Sequence, residues 1–331
     1  MFHIHNGDSS ANTAKESSVP GKHFAFRESL ITGPAPAAVS IDEWRSLRAR
    51  HLSESYGVDR EECERGLLDQ EQKLASLPEH EEVVLWFEHD LFCQTNLLYL
   101  LDWFGRQDLG DTKLSLICIG EFPGKENFRG LGELNAEQMA SLFPTRKPVT
   151  AGQLQLGQAA WQAYCAPDPV QLEQVIASDT SALPLLGPAL RAHLRRFPST
   201  RNGLGQIENR SLELIRSGAT TFTELFPRFI EAEPIYGLGD AQLWLALLRL
   251  SCGNHALLEL ENGKADAVGL LPPLVRDARF KLTNTGVSVL RGEADFVGLN
   301  GIDLWLGGVH LSFERFWRWN ESTGRVGLTA D

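Results

Sequence analysis

Three ionisable residues, Glu88, His89 and Asp90, directly follow an apolar run of the chain, Val83–Phe87. Such a run is typical of a strand that is covered on both faces and lies inside a sheet. Ionisable groups at the end of a buried strand are costly to bury without partners. In open α/β sheets, ligands bind beyond the carboxyl ends of the strands. The segment therefore predicts where a site lies, although it does not name a reaction.

Polar or acidic residues also follow the other strands predicted in the first part of the chain. These strands are predicted at Phe2–Asn6, His23–Arg27, Glu82–Phe87 and Lys113–Ile119. Because the carboxyl ends of parallel strands share one edge of the sheet, their terminal residues are expected to lie close together. They are Asn6, Gly7, Asp8 and Ser9 after the first strand, Glu28 after the second, and Glu121 after the fourth.

The acidic residues at these strand ends have two interpretations. Two carboxylates ~4 Å apart repel by roughly 4 kcal/mol at an effective dielectric constant near 20. The functional interpretation is a site for a divalent metal, a ribose-like diol or a cationic group. In it, Glu88 or His89 is the acid or base, and Asp8 and Asp90 bind the metal or hydroxyl groups. Gln94, about one helical turn beyond Asp90, is expected to face the same site.

The second interpretation is purely structural. Here the carboxylates cap helices and form ion pairs that hold the strand-to-helix turns, with Arg27 and Arg45 as available partners. Gly7-Asp8-Ser9 lacks the spacing of a phosphate-binding loop and favours simple helix capping. His3 and His5 alternate along the first strand and face one side, as a metal pair or, more simply, as structural histidines.

Strands alternate with helices from residue 1 to about 125, which predicts a Rossmann-like parallel sheet. Residues 126–199 are predicted to be a helical connecting or cover segment, helical throughout from about residue 134. Three helices and a hairpin over 200–295 are the order of a winged helix. Residues 296–331 are predicted to be a β-rich tail that packs on the rest. The predicted fold class is thus α/β plus α+β.

The winged-helix-like region is electrically neutral. Between Arg201 and Arg291 there are ten Lys/Arg and ten Asp/Glu residues. The helix in the recognition position, Asp240–Leu250, offers only Gln242 and Arg249 for reading bases. The sequence therefore favours a packing module over a DNA-binding one, without excluding nucleic acid.

Composition narrows the class of protein. The chain has 331 residues, 43% hydrophobic content and a formal net charge of -12. A net acidic surface repels nucleic acid and anionic lipid unless a local basic face overrides it. The five cysteines are scattered without a CxxC pair, and no signal peptide or membrane-length apolar run is present. A cytoplasmic location without membrane contact is expected; the oligomeric state is not indicated.

The tail mixes polar groups with two adjacent glycines, Gly307 and Gly308. Adjacent glycines permit a tight bend or a close backbone approach. Asp303 and His310 either reach the site of the first domain or belong to a hairpin that packs through its tryptophans, including Trp305.

With these residues assembled, the chain resembles a bacterial family catalogued as domain of unknown function 1835. The catalogued domain covers roughly residues 1–120, and longer members also resemble the tail at residues 300–303 and 306–310. The resemblance implies no catalytic residues. Relatives are expected to carry a polar residue where this chain has Cys93, which argues against a cysteine nucleophile. The segments that carry the resemblance are residues 3–9, 30–36, 84–91 and 114–119.

These observations lead to one main hypothesis and two alternatives. The main hypothesis is a protein that binds a small polar ligand, including nucleotide-like ones, at an acidic strand-end crevice and acts as a hydrolase or transferase, with a divalent metal as a candidate cofactor. The first alternative is a ligand-sensing transcription regulator that uses the winged-helix-like region. The second is a protein-interaction module with an exposed Trp/Leu patch around Trp244 or Trp305.

Overall fold

A computed structural model describes residues 1–261, 278–312 and 316–329. Its fold is mixed α/β, as predicted. The strands are β1 Phe2–Asn6, β2 Lys22–Phe26, β3 Gly33–Pro34, β4 Glu82–Glu88, β5 Lys113–Ile119, β6 Lys147–Pro148, β7 Leu258–Glu261, β8 Arg279–Leu282, β9 Asp303–Gly307, β10 Val309–Ser312, β11 Trp317–Asn320 and β12 Arg325–Leu328.

The structure has thirteen α-helices among the residues described. No helix among the residues described is long and apolar enough to cross a membrane. The α-helices are α1 Asp8–Glu16, α2 Ile41–Tyr56, α3 Arg60–Ala75, α4 Leu91–Phe104, α5 Ala136–Leu142, α6 Ala151–Cys165, α7 Val170–Ala177, α8 Leu186–Leu194, α9 Gln206–Arg216, α10 Phe222–Ala232, α11 Asp240–Ser251, α12 Asn284–Arg291 and α13 Phe296–Asn300.

The central sheet has the strand order β2-β1-β4-β5-β6. Its first four strands are parallel, and β6 is antiparallel to β5. The chain passes from β1 to β2 on one side and then returns to β4 on the other. The strand order therefore reverses between β1 and β4, and the register places Asn6 and Glu88 at the same edge. In open α/β sheets, a crevice forms at such a point of reversal.

Strand β4 lies in the interior, as its apolar run predicts. Val83 to Phe87 are completely buried. At the start of the strand, Glu82 accepts hydrogen bonds from Arg146 and Ser115. At its end, Asp90 caps helix α4, which packs closely on α6 through Gly157. A Cβ atom at Gly157 would lie 2.5 Å from the Cβ of Leu101, so the glycine permits this contact.

The prediction that residues 134–198 are helical throughout is wrong at residues 147 and 148. Lys147 and Pro148 form the short antiparallel edge strand β6 beside β5. An edge position tolerates proline because one side of the strand needs no donor. The reason for the error is that two residues carry no periodicity, and only the neighbouring strand determines their conformation.

The C-terminal helices share a core with the N-terminal part. Ile31 and Leu91 belong to the same hydrophobic cluster as Leu243 and Trp244 of α11. The predicted three helices and hairpin are present as α9, α10, α11 and the antiparallel pair β7–β8. Their assignment as a winged helix stays an interpretation.

The tail is tied to the first part of the chain by a pairing that sequence analysis missed. Gly33-Pro34 forms β3 and pairs parallel with β9. The hairpin β9–β10 is predicted correctly, and its two glycines allow close backbone approach. A Cβ atom at Gly308 would lie 1.8 Å from the carbonyl oxygen of Cys165. A two-residue strand whose partner lies far along the chain leaves no local pattern to detect.

Candidate functional site

The turn between β4 and α4 brings two carboxylates together. Asp90 is the N-cap of α4, and its Oδ1 accepts a hydrogen bond from the Cys93 amide at 2.8 Å. The amide of Glu88 in turn donates to the Cys93 Sγ at 3.2 Å. N-capping fixes the direction of the Asp90 side chain. The same local rule that starts the helix therefore places Asp90 beside Glu88.

Glu88, Asp90 and Cys93 form the acidic cluster of the structure. One carboxylate oxygen from each acid and the Cys93 Sγ all lie within 4.8 Å of one another. Asp90 is buried, and Glu88 is partly buried and accepts a hydrogen bond from the Leu131 amide. Among the residues described, neither carboxylate has a cationic partner within ion-pair distance.

Burial changes the proton affinity of all three groups. Burial and then the neighbouring Asp90 charge raise the pKa of Glu88, and burial raises the pKa of Asp90 despite the hydrogen bond from Cys93. The pKa of the Cys93 thiol is raised as well, mainly by burial and then by Glu88. Two carboxyl groups in contact cannot both ionise cheaply without a cation. The cluster therefore holds a proton or a cation more readily than an ordinary pair of acids.

A cavity of about 360 Å³ opens at this cluster and is called the acidic cavity here. Asn6 from the end of β1 and both carboxylates form one wall, and Arg129 contributes a cation. The Nε of Arg129 is bonded to Glu133 at 2.8 Å, so its charge is already engaged. The opposite wall comes from the C-terminal part, with residues Ile230, Pro234, Gly237, Leu238, Gly239 and Gln242.

Gly237 determines how closely the opposite wall approaches. Its φ angle is 61°, in the left-handed region that favours glycine. A Cβ atom there would lie 2.0 Å from Asp90 Oδ1. Pro234–Tyr236 is a 3-10 helix, and Gly237 follows it. The loop after this helix can therefore cover Asp90 only with glycine at position 237.

Asn6 is held in place from below by a buried amide. The Nδ2 of Asn96 donates to Asn6 Oδ1 at 2.7 Å and to the carbonyl of Glu28 at 2.9 Å. Asn96 is completely buried. It links the ends of β1 and β2 and fixes the Asn6 side chain at the edge of the acidic cavity.

The remaining residues predicted after β1 lie outside the lining of the acidic cavity. Asp8 forms a two-point pair with Arg27, at 2.7 and 2.8 Å, on the protein surface. The hydrogen bonds from Arg27 lower the pKa of Asp8. Gly7, with φ 97°, precedes α1, and Ser9 donates to the Gly132 carbonyl at 3.3 Å. Asp8 thus matches the ion-pairing part of the structural interpretation, whereas the expected side-chain capping is absent, because the N-cap of α1 is Gly7 and no side chain among the residues described caps it.

Glu28 and Glu121 have opposite surroundings. Glu28 is buried and paired with Arg48 at 2.7 Å, and it also accepts from the Ser29 amide. Arg45, expected as a partner for this edge, pairs with Glu71 on α3 instead. Glu121 is exposed at the end of β5. Neither acid lines the acidic cavity.

His89 and Gln94 face away from the acidic cavity. The ring of His89 lies near Phe128, and its Nδ1 is buried without a hydrogen-bond partner. Burial lowers the pKa of His89. Gln94 donates to the Glu88 carbonyl at 2.6 Å and lines a separate cavity of about 440 Å³ beside β5. The prediction that Gln94 faces the acidic cavity is wrong, because its side chain is bonded to the backbone of Glu88.

His3 and His5 of strand β1 belong to a neutral hydrogen-bonded cluster on one face of the central sheet. Trp86 Nε1 donates to His3 Nδ1 at 3.0 Å, and His3 Nε2 lies 2.9 Å from the Pro20 carbonyl. His5 Nε2 and His23 Nδ1 are 3.0 Å apart. Burial lowers the pKa of His3 to about 4 and that of His5 to about 2. The contacts match the structural alternative for these histidines.

Sequence reasoning missed the residues that close the acidic cavity. Arg129, Gly237 and Gln242 lie 39 to 152 residues beyond Asp90, and they are remote from any strand end. Only Gly237 carries a local signal, as one of two glycines around Leu238 in a segment between helices. A comparison with models of known protein families finds no match, and a search of curated proteins finds no similar sequence.

Proposed function

We propose that the protein binds a small polar ligand in the acidic cavity and that Glu88 and Asp90 are its chemical centre. The observation that carries the proposal is a contrast between the acids at one sheet edge. Glu28 is neutralised by Arg48, whereas Glu88 and Asp90 border a cavity and have no cation within ion-pair distance among the residues described, because Arg129 in the same wall is paired with Glu133. Buried carboxylates are normally paired, so an unpaired couple beside open space favours a ligand that supplies the charge.

The chemistry of the cluster supports hydrolysis or group transfer. A carboxyl group with a raised pKa keeps its proton near neutrality and can donate it to a leaving group. In this role Glu88 is the general acid, and Asp90 binds hydroxyl or amino groups of the ligand. Nucleotide-like ligands, which carry a diol, fit this pattern. Cys93 stays a thiol because its pKa is raised, so it is not proposed as a nucleophile.

A divalent cation is the proposed cofactor of the same centre. Carboxylate oxygens of Glu88 and Asp90 would hold it, with Cys93 Sγ as a third ligand for softer metals such as zinc. A cation there would relieve the repulsion between the acids and would lower their proton affinity. Metal binding and general acid catalysis by Glu88 are therefore alternatives that pH separates.

The regulator is the weaker candidate, because the two base-reading residues of α11 are engaged within the chain. Gln242 Nε2 donates to Tyr56 Oη at 3.2 Å, and Arg249 is paired with Glu208. A recognition helix needs its polar residues free for the major groove. The contacts favour packing of α11 against the N-terminal part.

The test is a thermal-shift screen of the full chain against manganese, magnesium, zinc and nucleoside phosphates. Wild type is compared with Glu88→Gln and with the control Glu121→Gln, which removes the same charge from an exposed residue one strand away. A ligand at about 100 times its Kd stabilises by roughly 2.7 kcal/mol. We expect stabilisation of wild type and Glu121→Gln and its loss in Glu88→Gln. Equal responses of all three proteins would overturn the proposal.

A further inference from the structure

A second, larger cavity lies between the N-terminal part, the C-terminal helices and the tail. Its volume is about 610 Å³. Helix α2 and β3 form one side, α9 and α11 another, and β9 a third. Much of its wall is apolar, and Leu238, Leu245, Leu304 and Trp305 contribute to it. It is called the Arg196 cavity here, after the one buried cation in its lining.

Arg196 is a buried cation without an acidic partner. Arg196 is only 9% exposed, and it lines the cavity. Among the residues described, the one hydrogen bond of its side chain is from Nη1 to His193 Nδ1, at 3.5 Å, and the guanidinium makes no ion pair. Arg48, the other deeply buried arginine, shows the usual arrangement, with a carboxylate and three backbone carbonyls as acceptors. The guanidinium of Arg196 thus has donors to spare.

The other ionisable groups of the wall do not neutralise Arg196. Glu208 is paired with Arg249, and Asp303 with His310. Arg50 and Glu54, one helical turn apart on α2, are both exposed. The last group is His51, whose imidazole is hydrogen-bonded to two hydroxyl groups. Burial lowers the pKa of His51 to about 3, so it is neutral.

We propose that the Arg196 cavity binds an anionic group, a carboxylate or a phosphate, carried on an apolar body. Arginine presents a planar set of donors that matches both anions with two parallel hydrogen bonds. The apolar wall suits a hydrocarbon or aromatic body of a small molecule. A buried charge without a partner is otherwise expensive, and a bound anion removes that cost. The proposal does not depend on the function assigned to the acidic cavity.

The probes are octanoate, octyl phosphate and uncharged 1-octanol, measured by isothermal titration calorimetry on the full chain. The variants are Arg196→Met and the control Arg195→Met, which removes the same charge from the exposed neighbour. We expect an anionic probe to bind wild type and Arg195→Met equally and to bind Arg196→Met at least tenfold more weakly. Octanoate and octyl phosphate, compared directly, show which anion the site prefers. Equal affinity for Arg196→Met, equally tight binding of 1-octanol, or no saturable binding of either anion at millimolar concentration overturns the proposal.

The thermal stability of the unliganded variant gives an independent readout. If the charge of Arg196 has no partner until an anion binds, Arg196→Met should unfold at the same temperature as wild type or at a higher one. If the side chain merely supports the fold, the melting temperature should fall as it does for any broken buried contact. Glu88→Gln should retain octanoate binding, and Arg196→Met should retain the response to metal. A failure at one cavity is therefore distinguishable from a failure at the other.

Discussion

The acidic cluster makes a prediction about stability as well as about binding. Replacing Glu88 with glutamine keeps the size of the side chain and an oxygen for the Leu131 amide, but it removes one of two buried acids. At 4.8 Å, the largest separation within the cluster, two full charges repel by about 3.5 kcal/mol at an effective dielectric constant of 20. Glu88→Gln should therefore be more stable than wild type where both acids would ionise, by about this amount.

The direction of the pH effect follows from linkage. The ordinary pKa of the Glu88 side chain is 4.5, and the folded pKa lies above it. Below the unfolded value, both states bind the proton and the folded protein bears no penalty. As the pH rises from the unfolded pKa to the folded pKa, the unfolded chain releases its proton while the folded protein still holds it. Wild type therefore loses stability over this range. Glu88→Gln lacks this loss.

The assay is urea unfolding at a mildly acidic and a mildly alkaline pH, with and without manganese. We expect the difference between Glu88→Gln and wild type to be smaller at the acidic pH and to grow toward about 3 kcal/mol at the alkaline pH. Manganese should stabilise wild type at the alkaline pH and leave Glu88→Gln unchanged. Parallel pH profiles for the two proteins, with Glu121→Gln as the surface control, would refute the burial of an unpaired acid at this position.

Three further predictions concern the groups around the cavity and the sheet. Gly237→Ala should lower the free energy of unfolding in urea by about 1–3 kcal/mol from backbone strain, and more because its methyl group meets Asp90. Arg48→Met should cost about 3–5 kcal/mol because it leaves Glu28 buried and unpaired, measured by the same unfolding. His5 has a pKa lowered from 6.5 to about 2, so its share of stability is complete above 6.5 and falls with pH, by about 2 kcal/mol at pH 5. His5→Gln should flatten that part of the acid unfolding profile.

Matched substitutions separate these effects from general damage. Gly110→Ala introduces a methyl group at a similar φ angle, 54°, with nothing within 4 Å, so it should cost less than Gly237→Ala. His255→Gln changes an exposed histidine and should leave the acid profile unchanged. A Gly110→Ala cost equal to that of Gly237→Ala would contradict the contact with Asp90. An unflattened acid profile in His5→Gln would contradict the buried, neutral state of His5.

Local patterns predicted most elements because they are encoded in short stretches. The apolar run before Glu88 identified β4, and Asp90 is the N-cap of the largely buried helix α4. The strand β1 and the strand β5 begin and end at the predicted residues. What failed were the pairs β3–β9 and β5–β6, because a two-residue strand has no period and its partner determines it.

The site was only partly predictable, because a cavity depends on both of its walls. Strand ends identified Asn6, Glu88 and Asp90, but they equally nominated Asp8 and Glu28. What distinguishes these acids is the position of arginines: Asp8 pairs with Arg27 after the neighbouring strand β2, and Glu28 pairs with Arg48 of helix α2. Such partners depend on helix packing, which one sequence does not specify.

Each of the two cavities is lined by ionisable groups without an oppositely charged partner, acids in one and an arginine in the other. Glu88 and Asp90 are acids without a cation, and Arg196 is a cation without an acid. They do not neutralise each other, although Gln242 and Leu238 line both cavities. A fold that needed these charges only for stability would place them in contact, as it does with Arg48 and its carboxylate. Since these opposite charges lie on both sides of a shared wall and do not neutralise each other in the unliganded protein, ligands that pair with each of them give a physical reason for their burial.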